Sequence, residues 1–157
     1  MAKTTQATLA LQNAGVAFTL HLYQYDPDAA QIGMQAAEAL GESPSRVLKT
    51  LMAEVDGKPA CVVVPSDREV SMKKLAAAFG GRSANMMRAA DAEKRTGYRV
   101  GGISPFGQRK PVQTAIEETA LGAGLVYING GQRGLQVRLS AEDAMRVLRA
   151  VAAPLVA

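Results

Sequence analysis

A β-hairpin is predicted between Leu48 and Val64, where the sequence reads LKTLMAEVDGKPACVVV. Two runs of mostly apolar residues, Leu48 to Val55 and Ala60 to Val64, flank Asp56-Gly57, a dipeptide that favours a two-residue hairpin turn. Lys49 interrupts the first run, between neighbours apolar enough to be buried. Its ammonium either reaches the surface on a packed stem or lies in a pocket. The hairpin that decides the fold therefore also contains the first candidate site residue.

Helical and strand patterns surround this hairpin. Apolar residues at helical spacing, with capping residues or glycine stops, predict helices, whereas alternation predicts strands. The predicted helices are Thr4 to Ala14, Gln31 to Leu40, Ser71 to Phe79, Asp91 to Arg95 and Ser140 to Val151. The other predicted strands are Phe18 to Tyr23, Gln113 to Ile116, Leu125 to Ile128 and Leu135 to Leu139. This order indicates one α+β domain over residues 1–157, with a mixed sheet that can close into a small barrel.

Composition limits the classes of function. The chain has 157 residues, of which 48% are hydrophobic and 20% charged, enough for one buried core. No apolar run approaches the ~20 residues that a membrane helix needs. The first six residues lack the apolar stretch of a secretion signal, so we expect a cytoplasmic protein. One cysteine and one histidine exclude a disulfide framework and most zinc and Ser-His-Asp sites, so we expect neither metal nor cofactor.

Positive charge is concentrated in the second half of the chain. Residues 1–78 carry seven basic and eight acidic side chains, whereas residues 79–157 carry eleven and six. Between Arg82 and Lys110, seven basic side chains face two acidic ones. This pattern suits a polyanion partner, although a solvated basic surface would produce the same pattern. Aromatic residues make up 4% and Trp is absent, so an RNA would be held by its backbone or one terminal nucleotide.

Two glycine-rich loops are candidate ligand-binding segments. In Gly101-Gly102-Ile103-Ser104-Pro105, paired glycines can bring backbone N–H groups close to an oxyanion or a phosphate. The alternative is a simple turn. The second loop, Gly130-Gly131-Gln132-Arg133-Gly134, adds a guanidinium. The alternative interpretation of this second loop is a hairpin turn with an exposed arginine.

His21 and Cys61 are candidates for a general base and a nucleophile. His21 shares a predicted strand face with Tyr23 and Tyr25, but no carboxylate at a recognisable spacing orients it. Cys61 lies in a valine-rich strand and is expected to be a small buried hydrophobic residue. We therefore expect structural roles for both.

Taken together, the motifs resemble the YbaK/EbsC family of freestanding aminoacyl-tRNA deacylases, which is related to the editing domain of bacterial prolyl-tRNA synthetase. The matching motifs are Lys49-Thr50-Leu51, Thr96-Gly97-Tyr98, Val100 to Gly107 and Gly130 to Leu135, with His21 to Pro27 as the opening strand. The resemblance covers about residues 5 to 150. It implies a mixed β-barrel wrapped by helices, with the substrate pocket at one mouth.

The resemblance also implies a reaction, which is the hydrolytic removal of cysteine from mischarged tRNA(Pro). Cys-tRNA(Cys) is a possible second substrate. The substrate thiol attacks its own ester, Lys49 is the indispensable residue, and no cofactor is needed. The implied partners are the acceptor end of the mischarged tRNA and, transiently, prolyl-tRNA synthetase. Substrate binding is assigned to Tyr23, Ile32, Thr50, Gly101, Gly102, Ile103, Ser104, Pro105, Gly130, Gly131, Arg133 and Gln136.

Two positions differ from the family pattern. Gln136 replaces the carboxylate of the usual Arg-Gly-Leu-Asp, and Ile32 replaces an aromatic before Gly33. An alternative function is therefore deacylation of another small mischarged residue such as alanine, with water or a ribose hydroxyl as nucleophile. An alternative of another class is a non-catalytic module that binds tRNA or the synthetase. Lys49 and both glycine loops favour the enzyme, because a docking surface requires none of them.

Overall fold

The structure is a computed structural model, and it describes residues 4–29 and 34–157. These residues form α-helices, one 3₁₀ helix (Glu118–Ala123) and short strands. The helices are α1 (Gln6–Asn13), α2 (Gln35–Leu40), α3 (Met72–Ala78), α4 (Ala89–Thr96) and α5 (Ala141–Leu148). The strands are β1 (Thr19–Leu22), β2 (Leu48–Val55), β3 (Lys58–Pro65), β4 (Ala84–Met86), β5 (Gln113–Glu117), β6 (Leu125–Asn129), β7 (Leu135–Ser140) and β8 (Val151–Ala153).

The strands form two sheets. In the smaller sheet, β7 lies between β1 and β6 and is antiparallel to both. The larger sheet has the order β4-β2-β3-β5-β8, and only its β3–β5 and β5–β8 pairs are parallel. An isolated bridge between Val47 and Tyr127 joins the sheets. The predicted α+β class is confirmed, but the described strands do not close into the expected barrel.

The predicted hairpin forms the centre of the larger sheet. Asp56 and Gly57 both adopt positive φ values, 50° and 80°, as the tight turn between β2 and β3 requires. β3 is paired on both sides, with β2 and β5, and its residues from Ala60 to Pro65 are buried. A valine-rich run suits such a central strand, because both of its faces are covered.

The core consists mainly of two apolar clusters associated with the larger sheet. One cluster includes Leu48 and Met52 from β2 together with Phe106 and Ile128. The other includes Ala53, Val62 and Val64 of the hairpin, with Leu75 of α3. Each large side chain in these clusters contributes about 1.5–3 kcal/mol by leaving water. Side chains on the two faces of β2 therefore pack into different clusters.

Three helices begin at capping side chains, and two of these, Ser71 and Ser140, were predicted. Thr5 and Ser71 accept hydrogen bonds from the N–H groups of Thr8 and Lys74, and Ser140 accepts one from Asp143. The predicted start of α2 at Gln31 lies outside the described residues. No helix in residues 4–29 and 34–157 combines the length and apolar character that crossing a bilayer would require.

The C-terminal part differs from the prediction. The last helix was expected to continue through Val151, but Arg149 adopts a left-handed conformation with φ 51° and ends α5 at Leu148. The chain then extends as β8 beside β5. Neither β8 nor β4 was predicted, because three residues are too few for a periodic pattern. The 3₁₀ helix was also missed.

A buried carboxylate fixes the segment that follows β8. Glu117 is 2% exposed, and one of its oxygens accepts hydrogen bonds from the N–H groups of Leu155 (2.8 Å) and Val156 (3.2 Å). The other oxygen accepts from the Thr119 N–H over 3.0 Å. Burial alone would raise the pKa of Glu117, but these donors outweigh it and hold the pKa below its ordinary value of 4.5.

Glu117→Gln is expected to lower the free energy of unfolding at pH 7 by about 1–3 kcal/mol, because an amide N–H₂ would face backbone donors. The folded-state pKa is lowered, so the carboxylate contribution is complete above pH 4.5 and is lost as the pH falls through the folded-state pKa. Urea unfolding at several pH values should therefore show that the free energies of unfolding of the wild type and of Glu117→Gln become similar at acid pH. Glu118→Gln, at the exposed neighbouring position, is the control. Equal effects of the two substitutions would contradict this role.

Candidate functional site

A cleft of about 350 Å³ opens where the two sheets separate. Its walls are mostly apolar and come from β2, α2, the segment from β4 to α4, and the first glycine loop. Its volume lies within the range of small-molecule sites. The polar side chains that line it are those of Tyr23, Lys49, Thr50, Asn129 and Gln136.

Lys49 is the charged residue of this cleft. Of the described residues that line it, only Lys49 carries a full charge. The Lys49 side chain is 20% exposed, and its Nζ lies 3.8 Å from Oε1 of Glu69, whose side chain is 88% exposed. An ion pair with so exposed a partner contributes little to stability. The Lys49 ammonium is therefore open to exchange Glu69 for an anionic group in the cleft.

Thr50 and Gln136 present buried polar atoms without protein partners. Both Thr50 Oγ1 and Gln136 Oε1 are inaccessible to solvent and lack a hydrogen bond within the described part of the chain. Burial raises the pKa of Tyr23, and the adjacent Gln136 amide opposes part of that rise. A buried polar atom without a partner costs about 1–3 kcal/mol. A ligand would remove that cost if a side-chain rotation of Thr50 or Gln136 brought the oxygen to the surface of the cleft.

The first glycine loop contributes only part of its length to the cleft. Gly101 and Ile103 line it, whereas Gly102, Ser104 and Pro105 are buried outside the lining. The Gly102 N–H donates to the Arg99 carbonyl over 2.8 Å. Ser104 Oγ accepts from the Phe106 N–H over 3.2 Å. The Gly102 N–H is therefore used within the loop and is not free for an oxyanion.

The second glycine loop supports the first. Gly130, Gly131 and Arg133 do not line the cleft. Arg133 Nε donates to the Val100 carbonyl over 2.9 Å, and its guanidinium lies 5.2 Å from the centre of the Tyr25 ring. A Cβ on Gly102 would come within 2.7 Å of the Arg133 backbone nitrogen, so the loops pack main chain against main chain.

Asn129 ties the two loops together, although no sequence motif predicted this role. Its Nδ2 donates to the Gly101 carbonyl over 3.3 Å, and its Oδ1 accepts from the N–H groups of Gly131 and Gln132. The available signal was its position, at the end of a strand and directly before Gly130-Gly131. The apolar lining residues Ala36, Met86 and Met87 were missed as well. Ile32 lies outside the described residues.

His21 and Cys61 both lie outside the cleft lining. Burial, followed by the charge of Arg138, lowers the pKa of His21, whose Nε2 lies 2.8 Å from Thr19 Oγ1. Cys61 is fully buried, and burial raises its pKa to about 12. A thiolate would be scarce there near neutral pH. The described residues contain no cluster of three or more metal-ligating side chains.

The basic segment borders the cleft through α4. Ala89 and Ala92 of α4 line the cavity, while Lys94 on the same helix is exposed. The other exposed basic side chains of this segment are Arg82, Arg88, Arg99, Arg109 and Lys110. Exposed positive charge therefore lies on the segment that contributes Ala89 and Ala92 to the cleft wall.

Comparisons with known proteins agree with this arrangement. Residues 26–147 match the family model of the aminoacyl-tRNA editing domain. A candidate Cys-tRNA(Pro)/Cys-tRNA(Cys) deacylase, EbsC of Enterococcus faecalis, is 38% identical over 108 residues, which are 68% of this chain and 65% of that protein. The match thus spans slightly less than two thirds of this relative. A proline–tRNA ligase of Streptomyces coelicolor is 35% identical over 107 residues, 68% of this chain and 18% of the ligase.

Solved structures share the fold over nearly the full length. A candidate trans-editing enzyme for prolyl-tRNA synthetase has a TM-score of 0.82 at 20% identity, with 99% of each chain covered. A hypothetical protein has a TM-score of 0.86 at 23% identity, with 98% of this chain and 100% of the other covered.

Gly102→Ala is expected to lower the free energy of unfolding by about 1–3 kcal/mol, because its Cβ overlaps the backbone of Arg133 and Gln132. Gly122→Ala is the matched control: nothing lies within 4 Å of its added Cβ, and no positive φ opposes it. Urea unfolding of both variants measures the difference. Equal stability of the two variants would contradict the close packing of the loops.

Proposed function

The chain belongs to the family of aminoacyl-tRNA editing domains, and on that premise we propose that it is a trans-editing hydrolase that deacylates mischarged Cys-tRNA(Pro). Cys-tRNA(Cys) is a second substrate to test. The observation that carries this proposal is the composition of the cleft: one basic residue, Lys49, lines it together with Thr50 and Gln136, whose buried side-chain oxygens have no hydrogen-bond partner in the described part of the chain. An aminoacyl ester brings a carbonyl oxygen that can accept from the Lys49 ammonium and an α-ammonium that can donate to oxygens of the cleft.

Lys49 is proposed to stabilise negative charge. As the ester carbonyl is attacked, charge develops on its oxygen, and a fixed ammonium in a water-poor site stabilises that charge strongly. The same ammonium can bind a phosphate oxygen or ribose of the terminal nucleotide. Tyr23, Thr50 and Gln136 are proposed to bind the aminoacyl group, and Gly101 and Ile103 to shape the entrance. Ser104, Pro105, Gly130, Gly131 and Arg133 would support these groups through the loops.

The nucleophile is proposed to be the substrate's own thiol. Its sulfur forms a bond to the ester carbonyl carbon, the bond from that carbon to the ribose oxygen breaks, and the thiol proton passes to the released ribose oxygen, which becomes a hydroxyl. Water then opens the resulting thiolactone to free cysteine. Holding the reacting groups together can lower the barrier by roughly 7–11 kcal/mol. The reaction uses water and needs no cofactor.

The tRNA is proposed to approach along the basic side of the cleft. Exposed charges such as Arg88 and Lys94, on or next to α4, suit the phosphates of an acceptor end. The cleft is large enough for an aminoacyl ester and little more of the tRNA. We therefore propose that a transient complex with prolyl-tRNA synthetase contributes to selection of tRNA(Pro).

Lys49→Ala is expected to reduce deacylation of Cys-tRNA(Pro) by about 10²–10³-fold while the protein remains folded. Lys49→Arg should also be slow, because a planar guanidinium does not reproduce a compact ammonium. Lys58→Ala removes an exposed lysine from the same hairpin and serves as control. Initial rates measure the deacylation activity of each variant, and thermal unfolding shows whether it is folded. Full activity in folded Lys49→Ala would refute the assignment.

A panel of aminoacyl esters on tRNA(Pro) tests the function and the nucleophile. Cysteinyl ester should be cleared far faster than seryl or S-methylcysteinyl ester, with binding of each measured separately. Cys61→Ala should retain activity, because the buried thiol takes no part.

Two other outcomes of the panel are informative. Fast clearance of alanyl ester would favour the alanine alternative, which the neutral Gln136 amide in the cleft also suits, and would rule out the thiol mechanism. No clearance of any ester at catalytic protein concentration would leave the binding-module alternative.

A further inference from the structure

The main chain of β2 faces the cleft. Five consecutive residues, Leu48 to Met52, line the cavity. Successive side chains of a strand point to opposite faces, so consecutive residues line one cavity only where the strand turns its edge towards it. The backbone groups on that edge are therefore part of the cleft wall.

Strand pairing identifies which backbone groups these are. The two-residue turn makes Val55 and Lys58 the closing pair of the hairpin, so odd-numbered residues of β2 exchange hydrogen bonds with β3. Even-numbered residues direct their N–H and C=O groups to the opposite edge. Three contacts agree with this direction: Tyr127 N–H to Arg46 C=O (2.8 Å), Met87 N–H to Met52 C=O (3.0 Å) and Asp56 N–H to Ser83 C=O (2.9 Å).

Thr50 lies at the centre of the open part of this edge. Pairing with β4 covers only Ala53–Val55, and the bridge to β6 involves only Val47. Within residues 4–29 and 34–157, no strand pairs with Thr50 on the cleft side. Its N–H, its C=O and its buried Oγ1 are thus three polar groups at one point of a largely apolar cavity.

We propose that Thr50 supplies the backbone site for the aminoacyl group, an inference that rests on the proposed function. The Thr50 N–H donates to the ester carbonyl oxygen, where negative charge develops during attack, and the Thr50 C=O accepts from the substrate α-ammonium. Two facing residues of an antiparallel ladder exchange the same pair of hydrogen bonds. The amino acid therefore adds to β2 as a strand of one residue. The oxyanion donor lies on β2, whereas the Gly102 N–H is used by Arg99.

Replacing Thr50 by its α-hydroxy acid removes the N–H while keeping the side chain, and so tests the donor; the ester also weakens the Lys49 carbonyl as an acceptor, an effect that shows in the stability of the hairpin and not in the cleft. We expect kcat for Cys-tRNA(Pro) to fall about 10²–10³-fold, with a smaller change in KM, because the charge develops only in the transition state. The same backbone replacement at Lys73, exposed in the first turn of α3 and distant from the cleft lining, is the control. A folded Thr50 variant with a kcat close to that of the wild type would overturn the proposal.

Wild-type protein provides a second test of the donor, independent of how the variant folds. A non-hydrolysable amide analogue, cysteinyl-3′-amino-adenosine, should slow hydrogen exchange of the Thr50 amide at least about tenfold. Unchanged exchange in protein saturated with the analogue would overturn the donor role.

The acceptor role of the Thr50 C=O is tested with 3-mercaptopropionyl-tRNA(Pro), which lacks the α-ammonium. After correction for its spontaneous hydrolysis, we expect kcat/KM to be at least about tenfold below that of Cys-tRNA(Pro). Equal values would overturn this part of the proposal. A wild-type protein that neither hydrolyses Cys-tRNA(Pro) nor binds the amide analogue would instead overturn the proposed function.

Discussion

The incomplete pairing of β2 is the constraint on which the site depends. β2 is bonded to β3 along its whole length. On its other edge, Val47, directly before β2, pairs with β6, and Ala53–Val55 pair with β4. A strand paired at both ends and open in the middle must leave a gap between its neighbours. The cleft occupies that gap. Because the ends are held by the two sheets, the open backbone groups are fixed in position without any ligand.

The loops close the cleft by packing against each other. Glycine at position 102 lets the main chain approach Arg133, and Asn129 bonds to both loops. The arginine guanidinium is committed to the Val100 carbonyl and the Tyr25 ring, so its charge stabilises the loop pair. A glycine-rich pattern that looks like a ligand cradle in the sequence is here chiefly a condition for close backbone contact.

Local signals in the sequence were sufficient for most elements. Asp56-Gly57 predicted the hairpin, and Ser71 and Ser140 marked the starts of α3 and α5. Long-range packing decided what was missed: β8 forms only because β5 offers an edge and Glu117 holds the residues after it. The division into two sheets also depends on strand pairing at a distance. Sequence motifs placed Lys49 and Thr50 in a candidate site, but no motif reveals which backbone groups remain unpaired.

The charge distribution of the cleft is consistent with a reaction in which the protein supplies no nucleophile. Lys49 is the one charged residue among those described in the lining, and the remaining walls are mostly apolar. A second ionised group there would lose hydration. A substrate that brings its own nucleophile avoids this cost.

In the proposed thiol mechanism, selectivity follows from reactivity as well as from fit. In an apolar cavity, size differences of one small group change binding by only about 1–3 kcal/mol, which separates similar amino acids poorly. A requirement for attack by the substrate thiol separates cysteine from serine and alanine by chemistry, even where all three fit the same space. The backbone site that we propose at Thr50 would bind all three equally, because it contacts only atoms that every amino acid shares. In this proposal, cysteine is therefore distinguished from serine and alanine by the reactivity of the substrate side chain.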